Sequence, residues 1–399
     1  MNGCTTAFHI VAFKIRAALL CLRLKMDEEV VCCYCGRVMT PFYEWWCSNC
    51  GGVGEVIYQV EFSSKNVEKN RAGLWRYVRM LPPSTRHRPV SLGEGGTPVV
   101  RGAFANISMK LEYVSPTGSF KDRGSATALT SMRNIVGDVR GICEDSSGNA
   151  GASLAAYSAA AGLECVVFAG ENIVAEKALQ VKAYGAELRL VKGPREEVSA
   201  AAQKEAGRRG FVYIGHVWNP YFIEGMKTVA YEIAEQTSWN PPDRIYLPVS
   251  AGTLLLGLIK GFRELVASGV VEKIPKIVAV QPAANPPLYK AFKDVETVEG
   301  EGRSTVADAL TLRNPPRLRQ MVEALKTSGG DVEIVTDEEI LVAQRQMGFA
   351  GVYAEPSSAV AYAAVRRSLD EFIARDERVM VIVTGFGAKS SQHLQVLDV

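Results

Sequence analysis

Between residues 107 and 383 the chain alternates short apolar runs with segments of helical spacing, and this alternation restricts the folds open to it. Apolar runs near 107–113, 139–143, 164–168 and 187–191 read as strands. Between them, 122–136, 149–161 and 174–184 carry apolar residues at helical intervals. A second set follows: helix 195–208, strand 211–214, helix 221–237, strand 244–249, helix 254–267 and strand 276–281. Helices near 337–348 and 358–369 lead to a last strand at 378–383. Such alternation implies an α/β protein with mainly parallel sheets covered by helices. A chain of 399 residues has room for two domains of this kind and a small module. The expected division is a large domain from 58–104 with 191–399, and a smaller, mobile domain over 105–190. The cleft between two such domains is a common location for a ligand. Residues 284–316, rich in proline and charge, read as a long loop or the edge of that cleft.

Charge and histidine content narrow the chemistry. The net charge is +2, and no basic run interleaves with aromatics, so neither a nucleic-acid nor a membrane surface is expected. No stretch of ~20 apolar residues suggests a membrane span, and a cytoplasmic location is expected. The four histidines (His9, His87, His216 and His393) form no helical pair, which argues against a His-based catalytic metal. Residues 1–25 lack acidic residues, and Lys14 and Arg16 interrupt their apolar stretch. An export signal fits poorly. The segment reads as a non-native extension ahead of Met26 or a disordered leader, with an organellar transit peptide as the alternative.

Of nine cysteines, Cys32, Cys33, Cys35, Cys47 and Cys50 crowd together. Cys32–Cys35 and Cys47–Cys50 are two C-x-x-C pairs, each followed by glycine, and such knuckles aim four sulfurs at one tetrahedral ion. A zinc-ribbon-like module over 26–57 is therefore expected, with four free thiols as the alternative. Four thiolates leave no open coordination position, so the zinc would be structural. Cys33 is the odd one out.

Ser115-Pro116-Thr117-Gly118-Ser119-Phe120-Lys121-Asp122-Arg123-Gly124 follows one expected strand and opens one expected helix. Small residues before a helix N-terminus let a single lysine project into a cleft beside anion-binding N–H groups. Partial desolvation there lowers a lysine pKa, as an amine nucleophile needs. An arbitrary lysine at a helix start is more often simply solvated, so the neighbouring motifs decide.

Thr117-Gly118-Ser119-Phe120-Lys121-Asp122-Arg123 resembles the cofactor-lysine motif of fold-type II pyridoxal-phosphate (PLP) enzymes, above all the threonine synthases. Leu92-Gly93-Glu94-Gly95-Gly96-Thr97-Pro98 and Ser146-Ser147-Gly148-Asn149-Ala150-Gly151-Ala152-Ser153 are similar to further segments of that family. So are Asn219-Pro220-Tyr221 with Glu224-Gly225-Met226-Lys227-Thr228, Glu355-Pro356-Ser357-Ser358-Ala359, and Thr384-Gly385-Phe386-Gly387. One such segment is weak; six in order are specific.

The resemblance implies a two-domain fold like that of the tryptophan synthase β-subunit. It also implies a lyase that converts O-phospho-L-homoserine and water to L-threonine and phosphate, a small phosphorylated amino acid as substrate, and a homodimer. Lys121 would carry PLP as a Schiff base and move protons at Cα and Cβ. Asn149 would meet the cofactor's 3′-oxygen. Ser146, Ser147, Gly148, Asn149 and Ala150 would hold the substrate carboxylate. Ser250, Ala251, Gly252, Thr253 and Leu254, between a strand and a helix, would cradle the cofactor phosphate. Thr384 would face the pyridine nitrogen, and an uncharged hydroxyl leaves that nitrogen neutral.

Three departures bear on the substrate. The cup Ser250–Leu254 is poorer in glycine and asparagine than is usual, Phe222 stands where the family often has arginine, and Phe386 where a small residue is common. Phenylalanine cannot donate to a phosphate; Arg195, His216, Arg123 and Lys227 are the candidates to compensate. A cysteine or cysteate synthase using O-phosphoserine, or a threonine dehydratase, remains the alternative enzyme. A non-catalytic PLP- or amino-acid-binding regulator is the alternative of another class.

Overall fold

The computed structural model describes residues 27–101, 107–146, 148–171, 173–369 and 376–390. The expectations for residues 1–25 and for Ser147 lie outside the described residues. At the N-terminus, β1 (Glu28–Cys32), β2 (Val38–Met39) and β3 (Gly54–Tyr58) form a small antiparallel sheet in the order β2-β1-β3. There follow β4 (Val99–Arg101), β5 (Ile107–Leu111), α1 (Lys121–Val136), β6 (Gly141–Glu144), α2 (Asn149–Ala160) and β7 (Glu164–Gly170). Next come α3 (Ala175–Ala183), β8 (Glu187–Val191), α4 (Arg195–Arg209), β9 (Val212–Tyr213), α5 (Pro220–Met226) and α6 (Thr228–Gln236). The chain continues through β10 (Arg244–Pro248), α7 (Thr253–Ala267), β11 (Lys276–Pro282), α8 (Pro287–Lys293) and α9 (Leu318–Ser328). It closes with β12 (Asp331–Val335), α10 (Asp337–Phe349), α11 (Pro356–Arg367) and β13 (Val379–Val383).

Two sheets organise the body. A six-stranded sheet runs β12-β11-β10-β13-β5-β4, parallel except for the β4–β5 edge, and a four-stranded parallel sheet runs β8-β7-β6-β9. Helices cover both faces of such sheets, so their inner strands read as continuous apolar runs. Val379-Met380-Val381-Ile382-Val383 is buried at every position. Each such side chain contributes about 1.5–3 kcal/mol by leaving water. Among the described residues, no helix is long and apolar enough to cross a membrane.

The expected helix 221–237 is two helices, α5 and α6, that meet at Lys227. The Thr228 hydroxyl donates to the Gly225 carbonyl at 2.6 Å and tightens the turn there. β12 is a strand that the sequence pattern does not announce, because two of the five residues in Asp-Val-Glu-Ile-Val are charged. Helix α5 packs closely on α1. A Cβ on Gly124 would lie 2.6 Å from Phe222 Cγ, and one on Gly225 would lie 2.6 Å from the Arg123 carbonyl carbon. Beneath this contact lies a buried ion network. Arg123 donates to Glu112 at 2.7 Å and to Glu232 at 3.1 Å, and Lys110 also pairs with Glu232. Lys110 is therefore a fully buried member of this network.

Candidate functional site

The C-terminal ends of β6, β10 and β13 converge with the start of α1 on a cavity of about 910 Å³. Strand ends are where open α/β sheets accept ligands. Lys121, the first residue of α1, is on its wall. Desolvation pushes the Lys121 amine down to about 8; Glu144 and Glu355 oppose the shift and Arg195 adds to it. The amine lies 4.7 Å from the Phe120 ring centroid and 5.7 Å from that of Phe222.

The turn carrying Lys121 is tied to the end of the last strand. Phe120 N–H donates to the Thr384 carbonyl, and Phe386 N–H donates to the Gly118 carbonyl, both at 3.0 Å. Thr384 also lines the cavity, with its hydroxyl 2.8 Å from Ser358 Oγ. Asn149 opens α2 on another wall, where its Nδ2 donates to Glu355 Oε1 at 2.9 Å. Its Oδ1 is buried without a partner, as is Glu355 Oε2. Ser146, Gly148 and Ala150 line the cavity beside it, and Gly148 N–H donates to Ser146 Oγ at 3.2 Å.

Ser250, Ala251, Gly252, Thr253 and Leu254 all line the cavity where β10 turns into α7. Gly252 sits at φ +84°, where a Cβ would also meet Met321 Cγ at 2.8 Å, so only glycine fits. No side chain caps α7, which leaves first-turn N–H groups of a helix N-terminus at the cavity wall. A group with an anionic tail, a ring hydroxyl and a carbonyl that reacts with an amine fits this set. The uncapped helix end suits the anion, the orphaned Asn149 oxygen suits a hydroxyl, and Lys121 supplies the amine.

Residues 90–385 match the family of pyridoxal-phosphate dependent enzymes. The threonine synthase of Methanocaldococcus jannaschii is 35% identical over 375 residues, which span 90% of this chain and 92% of that protein. Those of Methanosarcina acetivorans and Mycobacterium tuberculosis H37Rv are 34% and 33% identical, over 88% and 78% of this chain and 89% and 87% of theirs. The chain belongs to the pyridoxal-phosphate-dependent threonine synthase family. PLP is accordingly its cofactor, and its chemistry is that of a PLP-dependent lyase. The fold is shared more widely. Maize serine racemase matches with a TM-score of 0.64 at 22% identity, covering 75% of this chain and 91% of that one. A pyridoxal 5′-phosphate-dependent aspartate racemase gives 0.64 at 23%, covering 83% and 97%.

Within this threonine synthase family member, the four candidates to replace the missing arginine separate cleanly. Arg123 is consumed by Glu112 and Glu232. Lys227 is buried with Glu224 and Glu264 at 3.0 and 3.1 Å. Neither lines the cavity, whereas Arg195 and His216 do. Phe222 is fully buried, with its ring 5.7 Å from that of His216. Segment 284–316 does supply a cleft edge, since Thr305, Asp308 and Arg313 line the cavity.

Sequence reasoning named Arg195 and His216 but missed the acids beside them and the pairing of Lys177 with Asp308. His216 Nδ1 lies 2.7 Å from Glu144 Oε1, Arg195 lies 3.6 Å from Asp145, and Lys177 pairs with Asp308. Glu144 and Asp145 directly precede the Ser146 loop, and two acids closing an apolar strand are the signal that could have flagged them.

Outside the cavity lining, the sulfurs of Cys32, Cys35, Cys47 and Cys50 lie within 4.8 Å of one another. Cys32 and Cys50 approach to 3.5 Å, as do Cys35 and Cys47. Cys33 points elsewhere and accepts from Gln320 Nε2 at 3.4 Å.

Proposed function

We propose that this protein converts O-phospho-L-homoserine and water to L-threonine and phosphate, with Lys121 as the catalytic lysine. The observation that carries the reading is a desolvated lysine amine and an orphaned asparagine oxygen on one cavity, in a chain of the threonine synthase family. The helix end at Ser250–Leu254 would hold the cofactor phosphate, Asn149 the ring hydroxyl, and Thr384 the ring nitrogen. When bound, PLP supplies an electron sink for the pair left at Cα. Lys121 has two tasks: its amine would hold the cofactor in the resting enzyme and carry protons at Cα and Cβ during turnover. A pKa near 8 keeps a useful fraction of that amine neutral at pH 7.

N–H groups at the start of α2, in the Ser146–Ala150 loop, orient the substrate carboxylate. Arg313 and Arg195 are the cavity cations best placed to receive the substrate phosphate, because Lys177 is held tightly by Asp308, whereas Arg195 meets Asp145 only at 3.6 Å. The smaller parallel sheet and its helices would close on the bound substrate and exclude water until the hydration step.

We assign Cys32, Cys35, Cys47 and Cys50 to one structural zinc ion, a reading supported by their convergence. Thiolates kept available for a metal favour a cytoplasmic setting, and family likeness favours a homodimer.

The test is to give the purified, PLP-loaded protein O-phosphohomoserine and assay phosphate and threonine in parallel. Equal amounts of both, absent in Lys121→Ala, are expected. Neither product from a protein that binds PLP normally would sink the proposal, and O-phosphoserine with sulfide or sulfite would be tried next.

A further inference from the structure

Among the groups on the cavity wall that can carry a proton, His216 stands out for the acid behind it. His216 follows β9 in the turn Gly215-His216-Val217-Trp218, and its ring lies on the cavity wall. Glu144, the last residue of β6, does not line the cavity. It stands behind the imidazole, fully buried, with Oε1 2.7 Å from His216 Nδ1. A carboxyl group whose Oε1 accepts from Nδ1–H fixes the histidine's ring orientation and tautomer and leaves Nε2 free to work.

Phe222 brings the pair close to Lys121. Its ring centroid is 5.7 Å from the His216 ring and 5.7 Å from Lys121 Nζ. We propose that His216, held by Glu144, is the base that takes a proton from the water adding at Cβ, and that Glu144 is its positioning residue. The inference rests on the threonine synthase reading.

The chemistry calls for such a group. Lys121 takes up protons removed from the carbon skeleton, and an amine that already holds one cannot accept another from water. In the proposed step the water oxygen bonds to Cβ, the π-electron pair of the unsaturated skeleton withdraws toward Cα, and one water proton moves to His216 Nε2. His216 then gives that proton to the phosphate that left Cγ with the C–O electron pair. Phosphate departs as the hydrogen phosphate ion, and the imidazole is neutral again.

The surroundings suit a neutral imidazole that ionises only briefly. Lys121 from α1, Arg195 from α4, and Glu144 and Asp145 at the end of β6 are the ionisable groups facing it. Burial, with Lys121 and then Arg195 nearby, pushes the His216 imidazole well below its usual range, so it awaits the water unprotonated. Burial, with Asp145 beside it, pushes the Glu144 carboxyl well above its usual range against Arg195, the His216 backbone N–H and Lys121; a proton carried on Oε2, which has no partner, leaves Oε1 to accept from His216 Nδ1–H.

The experiment measures phosphate, threonine, and the 2-oxo acid with ammonia from the PLP-loaded wild type, His216→Gln and Glu144→Gln at saturating O-phosphohomoserine. Phosphate leaves before water adds, so a variant that cannot hydrate should still release phosphate. Its unsaturated product then hydrolyses to the 2-oxo acid and ammonia. The ratio of threonine to phosphate should fall by on the order of 10²-fold in His216→Gln, and substantially in Glu144→Gln.

This ratio is insensitive to the folded fraction and to substrate affinity, which a merely structural role would change. If His216→Gln does not fold, Glu144→Gln, which keeps the side-chain volume, decides alone. An unchanged ratio in a folded variant would mean that the released phosphate takes the water proton itself, and the inference is overturned. A parallel loss of phosphate and threonine also overturns it, by placing the residue before hydration. Failure of the wild type to make either product would instead refute the underlying reading of the reaction.

Discussion

Replacing Gly124 by alanine tests whether the close packing of α1 on α5 supports the site. Gly124 lies in the first turn of α1, three residues after Lys121, and faces the buried Phe222 ring. The added methyl would sit 2.6 Å from Phe222 Cγ, whereas relaxed carbon contacts lie at about 3.5–4.0 Å. The ring must therefore move by about 1 Å.

Two effects oppose each other. Alanine favours the helix over glycine by about 1 kcal/mol, while overpacking a tight core costs about 1–3 kcal/mol. Phe222 is enclosed, with no exposed side to yield toward. Overpacking should win, and Gly124→Ala is expected to lose up to about 2 kcal/mol. The displaced ring is also the one beside Lys121 Nζ and His216, and a shift of about 1 Å at reacting groups can cost about 10²-fold in rate.

Urea unfolding and steady-state turnover of Gly124→Ala, Phe222→Leu and the double variant read both effects. The smaller leucine side chain should remove most of the cost of the added methyl, giving a coupling of about 1 kcal/mol or more. A Gly124→Ala protein as stable and active as wild type, with no coupling to Phe222→Leu, would refute the packing argument.

Three further outcomes follow from the geometry. Covalent capture of PLP by the apoenzyme requires the neutral Lys121 amine, so its rate should rise with pH and level off above a midpoint near 8; stopped-flow absorbance showing a midpoint near 10.5, that of a solvated lysine, would contradict the desolvated site. Burial raises the Asp122 carboxyl to about 6, against hydrogen bonds from Ser153 and Thr117 and the charge of Lys389, all of which lower it. From about pH 4 to 6 the unfolded chain has lost this proton while the fold retains it, so rising pH weakens the fold in that window. Asp122→Asn cannot titrate, and unfolding midpoints measured from pH 4 to 7 should show the wild type losing more stability than the variant. Finally, elemental analysis should find one zinc per chain, absent after Cys35→Ser, and a chelator should lower the melting temperature without releasing PLP.

The parts of this protein legible in its sequence are those where a single segment carries the signal. Strands β5, β6, β7, β9, β10, β11 and β13 announce themselves by apolar runs because helices cover the parallel sheets they belong to, and β8, a partly exposed edge strand, by Leu188, Leu190 and Val191. β12 escapes because it lies at the sheet edge, where Asp331 and Glu333 remain partly exposed. β4 is three residues long and is defined only by its antiparallel pairing with β5. The cavity residues on strand-to-helix turns were readable for a similar reason, since Lys121, Asn149 and Ser250–Leu254 each sit in a local motif.

Pairings between distant segments were not readable. Glu144 and His216 are 72 positions apart, and Lys177 and Asp308 are 131 apart. No local period reports such contacts. Arg123 and Lys227 show the reverse error. Each looks available for a phosphate in sequence, but carboxylates from other helices have already claimed both.

The lysine segment gathers these lessons in five consecutive residues with five different tasks. Phe120 hands its N–H to the Thr384 carbonyl and fixes where the helix begins. Lys121 turns its amine to the cavity, whose wall Phe120 shares. Asp122 reaches back to the preceding turn, accepting from Thr117 N–H at 2.7 Å and from Ser153 Oγ at 2.6 Å. Arg123 points to the opposite side, into the network of Glu112 and Glu232 that locks α1 against β5 and α6. Gly124 lets α5 approach, which seats Phe222 beneath the amine. Successive residues of a helix point about 100° apart, so neighbours in sequence cannot all face one cavity. A motif of this kind is therefore one chemical group and four placement groups. Substitutions at the four should act first through the position of Lys121 and the stability of α1, and only the lysine itself should be chemically irreplaceable.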